Sequence, residues 1–179
     1  MFLPAKVLNV SENNPLLQPY DLPPFSAIRP EHVQPAIEQI LADNRAGIEK
    51  ILQDQGQNPT WEGLVLAMDE LNDRLGAAWS PVSHLNAVCN SAELRAAYEA
   101  CLPALSAYST EMGQNRELFQ AFEALAHSPH VADFDQAQLT ILEHSLRDFR
   151  LSGIDLPLDK QKRYAEVQSK LSELGSTFS

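Results

Sequence analysis

Cysteine, glycine and positive charge are all scarce in this chain. Only two cysteines occur in 179 residues, Cys89 and Cys101. With Cys101 inside a helix and Cys89 just ahead of it, their axial separation far exceeds the ~7 Å Cα limit for a disulfide. Reduced thiols fit a cytosolic setting. No C-x-x-C is present, which excludes a redox pair or zinc ribbon in its common form. The seven glycines are scattered singly, so the phosphate loop, G-x-G-x-x-G and G-x-S-x-G are all missing. Lys and Arg total 13 against 24 Asp and Glu, a net charge of −11. Non-specific binding to nucleic acid or an anionic membrane needs the opposite sign. No apolar run reaches the ~18 residues of a membrane span, and the opening MFLPAKVLNVSENN lacks an export-length apolar stretch. The expectation is a soluble, cytoplasmic protein. No histidine is followed by glutamate, so the zinc-binding H-E-x-x-H helix is not here. No segment alternates with period two for long enough to form a convincing strand.

What the chain does have is helical rhythm, clearest at its end. Leu139, Leu142, Leu146 and Phe149 mark one helical face; Tyr164, Val167, Leu171, Leu174 and Phe178 mark another, in steps of 3, 4, 3, 4. The second set is an a/d seam that needs a partner helix. Gly153 sits where a helix C′ residue takes positive φ, and Pro157 where a following helix accepts proline in its first turn. The stretch therefore predicts a helical hairpin. A seam that continues to the last residue but one is expected of a chain cut from something longer.

The first 29 residues read as an extended arm. Pro15, Pro19, Pro23 and Pro24 cannot sit inside a regular helix, while Leu16, Leu17, Tyr20, Leu22, Phe25 and Ile28 suit a strap packed on the body; a proline-rich recognition ligand is the other reading. A helix is predicted from Pro30 to about Gln53, with Val33, Ile37, Ile40, Ile48 and Ile51 on one face. Thr60 caps the next, and Pro81 is expected to kink or end it. A third helix follows the cap Asn90–Ser91, with a kink expected at Pro103. Asn115 starts a shorter fourth, and 127–135 is a loop. Five or six helices joined by short loops predict an all-α antiparallel bundle spanning 30–179.

Candidate chemistry is thin. His127, His130, Asp133 and Asp135 are the best metal set, yet Pro129 breaks the helix that would align the histidines, and Asp133 or Asp135 also suits a helix cap. His84 and His144 fit structural or exposed positions. Glu31 and His32 form a first-turn pair, with Glu31 favoured there by the helix dipole. Glu62, Asp69, Glu70 and Asp73 read as a solvated acidic face, and Lys160, Lys162 and Arg163 as a solvated basic one. No constellation for catalysis emerges.

Several long strings carry a resemblance. NPLLQPYDLPPFSAIRPEHVQPAI (14–37), TWEGL (60–64), SPVSHLNAVCNSAELRAAYE (80–99) and LRDFRLSGIDLPLDKQKRYAEVQSKLSELGSTFS (146–179) resemble the opening of bacterial members of the thimet oligopeptidase family of zinc metallopeptidases. Residues 1–13 precede the matching region. The resemblance implies a cytosolic, largely helical endopeptidase that cuts short peptides inside a channel between two lobes. In the family, zinc is held by the two histidines of H-E-x-x-H and a later glutamate, all downstream of the matching region. No position here matches a zinc ligand or a catalytic residue. The implied role is the N-terminal helical domain, part of one lobe and a channel wall, inactive alone and partnered by the catalytic lobe. A stand-alone helical module associating through the face from Tyr164 to Phe178 is the alternative.

Overall fold

The computed structural model describes residues 13–56 and 58–178, the last three by backbone alone. Residues 1–12 of the expected arm, Gln57 in the first loop and the side chain of Phe178 lie outside the described residues. Six α-helices and no strand occur among the described residues: α1 (Pro30–Gln55), α2 (Ala67–Val88), α3 (Ala92–Gly113), α4 (Arg116–Ala126), α5 (Gln136–Leu151) and α6 (Leu158–Phe178). The all-α bundle expected from the periodicity is what forms.

Helix boundaries follow side-chain caps. Ser91 accepts from the Leu94 amide, Asn115 from Leu118 and Asp135 from Gln138. Gln138 reaches back to the Asp135 amide and closes a capping box. Thr60 caps as expected, accepting from Gly63. The residues it opens, Trp61–Leu66, form a π-helical turn before α2. The periodicity of the sequence did not announce it.

α1 is the central rod, packed against both α2 and α3. Its apolar face, Val33, Ile37, Ile40, Leu41 and Ile48, is buried in the one core that also holds Leu64, Val82, Cys101 and Leu125. Each large aliphatic side chain so buried contributes about 1.5–3 kcal/mol, and Ile40→Ala would cost about 2–5 kcal/mol by leaving a cavity. Polar contacts set direction. Asp43 pairs with Arg74 of α2 at 2.7 Å and the Asn44 amide donates to the Leu71 carbonyl at 3.0 Å. Trp79 stacks on Tyr98 at 4.8 Å, joining the middle of α2 to the first half of α3.

Two expectations need correction. Pro81 does not end α2, which runs through it to Val88; Pro103 lies inside α3, where it was expected. And α5 and α6 do not form the expected hairpin of mutually packed arms. α5 packs on α4, while α6 turns away and lies along α3. Part of the partner that the α6 seam requires is thus already within the chain.

The arm from 13 to 29 has two short 3₁₀ turns, Pro15–Leu17 and Phe25–Ala27, and packs Leu16 and Ile28 into the core. Leu22 and Phe25, expected to pack with them, are exposed.

Candidate functional site

The most distinctive local structure is the connection between α5 and α6. Gly153 adopts φ +86°. Its amide donates to the Arg150 carbonyl at 3.0 Å, and the next amide, Ile154, donates to Phe149 at 3.2 Å. That pair of bonds is a Schellman motif, which satisfies carbonyls a helix end otherwise leaves orphaned. Ile154 and Phe149 are both buried, giving the motif its apolar contact. The turn is fixed from outside by the α3–α4 junction. Gln114 donates to the Ser152 carbonyl at 3.0 Å, and the Arg116 guanidinium donates to the Ile154 carbonyl. Gln161 of α6 donates to the same Ile154 carbonyl at 3.2 Å and to that of Leu156 at 3.0 Å.

From this anchor α6 presents a face that α3 only partly covers. Tyr164 is half-buried; Val167, Leu171 and Leu174 remain exposed, Leu171 at 57%. A groove of about 340 Å³ separates the helices, lined by Trp79, Leu102, Leu105, Tyr164 and Leu171. Leu151, Leu156 and Leu158 extend the apolar surface around the turn, Leu158 at 76% exposure. Such a surface suits contact with further protein.

The candidate metal ligands are not brought together. His127 and His130 are exposed, and the His127 ring is engaged with the Glu123 carbonyl at 2.7 Å. Asp135 is spent as the α5 cap, as the alternative reading had it, and Asp133 ends a 3₁₀ turn. No group of three His, Cys, Asp or Glu side chains among the described residues could hold a metal. The described residues therefore do not assemble a zinc site, and the resemblance puts the family's zinc ligands downstream of the matching region. His144 is exposed, and so is His84, whose ring lies against Phe25 at 5.5 Å. Glu62, Asp69, Glu70, Asp73, Lys160, Lys162 and Arg163 are all exposed, as solvated faces should be. No helix among the described residues is long and apolar enough to cross a membrane.

His32 is the residue whose place the sequence reading missed. It is buried, at 6% exposure, and its Nδ1 accepts the Arg29 amide at 3.1 Å. Burial first, and then the Arg29 guanidinium, lower its pKa. The usual signal for this role is Glu or Gln at the third helical position, which histidine disguised. Glu31 beside it has its pKa lowered, first by its own backbone amide at the helix start.

The family model for the neurolysin/thimet oligopeptidase N-terminal domain matches residues 37–163. Among curated proteins, oligopeptidase A of Haemophilus influenzae is 53% identical over 95% of this chain and 25% of its own length. Oligopeptidase A of Escherichia coli is 51% identical over 93% of this chain and 24% of its own. The probable cytosolic oligopeptidase A of Arabidopsis thaliana is 33% identical over 93% and 24%. The chain thus spans about a quarter of the length of these relatives. With six helices in place and a match across most of them, this chain belongs to the neurolysin/thimet oligopeptidase family, in its N-terminal domain.

Proposed function

We propose that this chain is the N-terminal helical domain of an oligopeptidase A-like zinc metalloendopeptidase that degrades short peptides in the cytoplasm. Its part is structural. It supplies one wall of the peptide channel, and the zinc site and its acid/base chemistry are supplied by the catalytic lobe that the family carries downstream. The chain alone does not hydrolyse peptides. The observation that carries this reading is 53% identity over 95% of the chain to a quarter of an oligopeptidase A, with the match to the family's N-terminal domain. The exposed apolar face of α6 and the α5–α6 turn supports it, as a surface for the rest of such an enzyme.

The test has two arms. The purified chain should hold no stoichiometric zinc by elemental analysis and should not cleave a quenched fluorescent peptide. Zinc-dependent turnover that survives repurification would overturn its inactivity. In the second arm this chain replaces the matching quarter of the Haemophilus influenzae enzyme. A hybrid that folds and cleaves peptides supports the domain role; one that folds without activity counts against it.

A second reading is favoured by the exposed Val167, Leu171 and Leu174: a helical module that associates through α6. Light scattering separates the two. A single defined oligomer supports association, and a monomer supports the domain reading.

A further inference from the structure

α6 lies along α3 largely by polar and small side chains. Its half-buried residues are Gln161, Tyr164, Ala165, Gln168 and Ser172. The apolar Val167, Leu171 and Leu174 are exposed instead. At 3.6 residues per turn their stripe lies about a quarter turn from the docked side. Tyr164 and Leu171 stand on the border, since both line the groove against α3. An amphipathic helix ordinarily buries its apolar stripe and leaves its polar side to water. Here that order is reversed, so α3 covers one edge of the stripe and leaves the rest open.

The open stripe has a defined width and a defined charge at its edge. Tyr164, Val167, Leu171 and Leu174 follow steps of 3, 4, 3, the narrow a/d pattern that a single helix fills. On the α3 side it is edged by Gln161 and Gln168, both half-buried. On the other side it is edged by Arg163 and Lys170, both exposed. Lys160 lies on the stripe line itself, one turn before Tyr164. Glu166 pairs with Arg163 at 2.8 Å and Glu173 with Lys170 at 2.7 Å. By helical spacing these two acids stand farther round α6, so the cations are the charges next to the stripe. A chain of net charge −11 thus turns a cationic edge toward whatever covers α6.

We propose that the α6 stripe is the docking site for one amphipathic helix whose own a/d stripe is edged by Asp or Glu. A second copy of the chain fits poorly. Antiparallel, α6 on α6 sets Arg163 and Lys170 against the same cations of the other copy. Parallel, it needs the edge of Gln161 and Gln168, which already faces α3. An acidic edge meets Arg163 and Lys170 and shares them with Glu166 and Glu173. The inference rests on the domain reading above only for the source of that helix, in the rest of the enzyme; its chemistry stands on α6.

Two labelled peptides of about 28 residues test it, both with Leu at every a and d position. One carries Glu at e and g, the other Lys. Fluorescence anisotropy on the 179-residue chain should show the Glu peptide binding about tenfold tighter, with the gap closing in high salt. The overall charge of the chain favours the Lys peptide, so this preference reads the local edge. Arg163→Glu with Lys170→Glu should reverse the order. Leu171→Ser with Leu174→Ser should weaken both peptides. Preference for the Lys peptide, equal binding, or no binding in the unaltered chain would overturn the proposal, whether or not the variants fold. So would self-association, seen by light scattering, that shuts out both peptides. The domain reading fails separately. A hybrid enzyme that cleaves peptides while the chain shows no acidic preference overturns the pairing alone. A folded but inactive hybrid with that preference retained supports the pairing and counts against the domain role.

Discussion

The Tyr20 hydroxyl donates to the Ala77 carbonyl. Ala77 lies four residues before Pro81, so its carbonyl is the one that Pro81 deprives of a helical donor. The strap thus supplies from outside the hydrogen bond that proline removed within α2. This is how a proline expected to break a helix sits inside one.

Tyr20→Phe should cost about 0.5–1.5 kcal/mol in urea unfolding, the net value of one hydrogen bond. In a Pro81→Ala background the helix has its own donor, and the same change should cost close to nothing. Equal costs in the two backgrounds would show that the hydroxyl and the proline are uncoupled.

Gly113 closes α3 where the Ser152 side chain passes over it. A Cβ there would lie 2.5 Å from Ser152 Oγ and 2.6 Å from its Cβ. Gly113→Ala should therefore destabilise by about 1–3 kcal/mol through overpacking. With Ser152→Gly the obstacle is gone. Gly113→Ala should then be neutral or stabilise by up to about 1 kcal/mol, the helix-propensity gain. Thermal unfolding of the four proteins in the cycle reads the reversal of sign.

The two cysteines should differ sharply in reactivity. Cys89 is exposed, whereas Cys101 is buried and its thiol donates to the Ala97 carbonyl at 3.3 Å. Burial, with Glu38 adding to it, pushes the Cys101 pKa up to about 11. At pH 8 only about one Cys101 thiol in a thousand is ionised. Ellman's reagent should titrate one thiol rapidly in the native chain and two in denaturant. Rapid reaction of both in the native chain would contradict this packing.

Arg45 grips Glu111 through Nε at 2.9 Å and Nη2 at 2.7 Å, tying α1 to α3, and lies over the Tyr108 ring at 5.4 Å. Both side chains are more than 40% exposed, so solvent screens the pair. Glu111→Gln should cost no more than about 1 kcal/mol, and the difference should shrink in 1 M salt. A loss of several kcal/mol, insensitive to salt, would mean the pair behaves as buried.

Much of this protein was legible in the residue order because the relevant physics is short-ranged. Ser91, Asn115 and Asp135 cap their helices within three residues of themselves. Gly153 takes its positive φ where a helix had to stop. Apolar steps of three and four locate a buried face without reference to what buries it. The metal set around His127 also weakened on local grounds, through Pro129 and the capping role of Asp135.

The sequence by itself determined the helices, their ends and their apolar stripes, since each depends on neighbours within about one turn. Only the tertiary structure decided which stripes meet. α6 pairs with α3 rather than α5 because Gln114 and Arg116 seize the turn between them and send the chain that way. The same holds for Tyr20 serving Ala77, 57 residues away, and for Asn14 holding His32. Such partnerships rest on where distant backbone atoms come to lie, and no spacing along one helix encodes that.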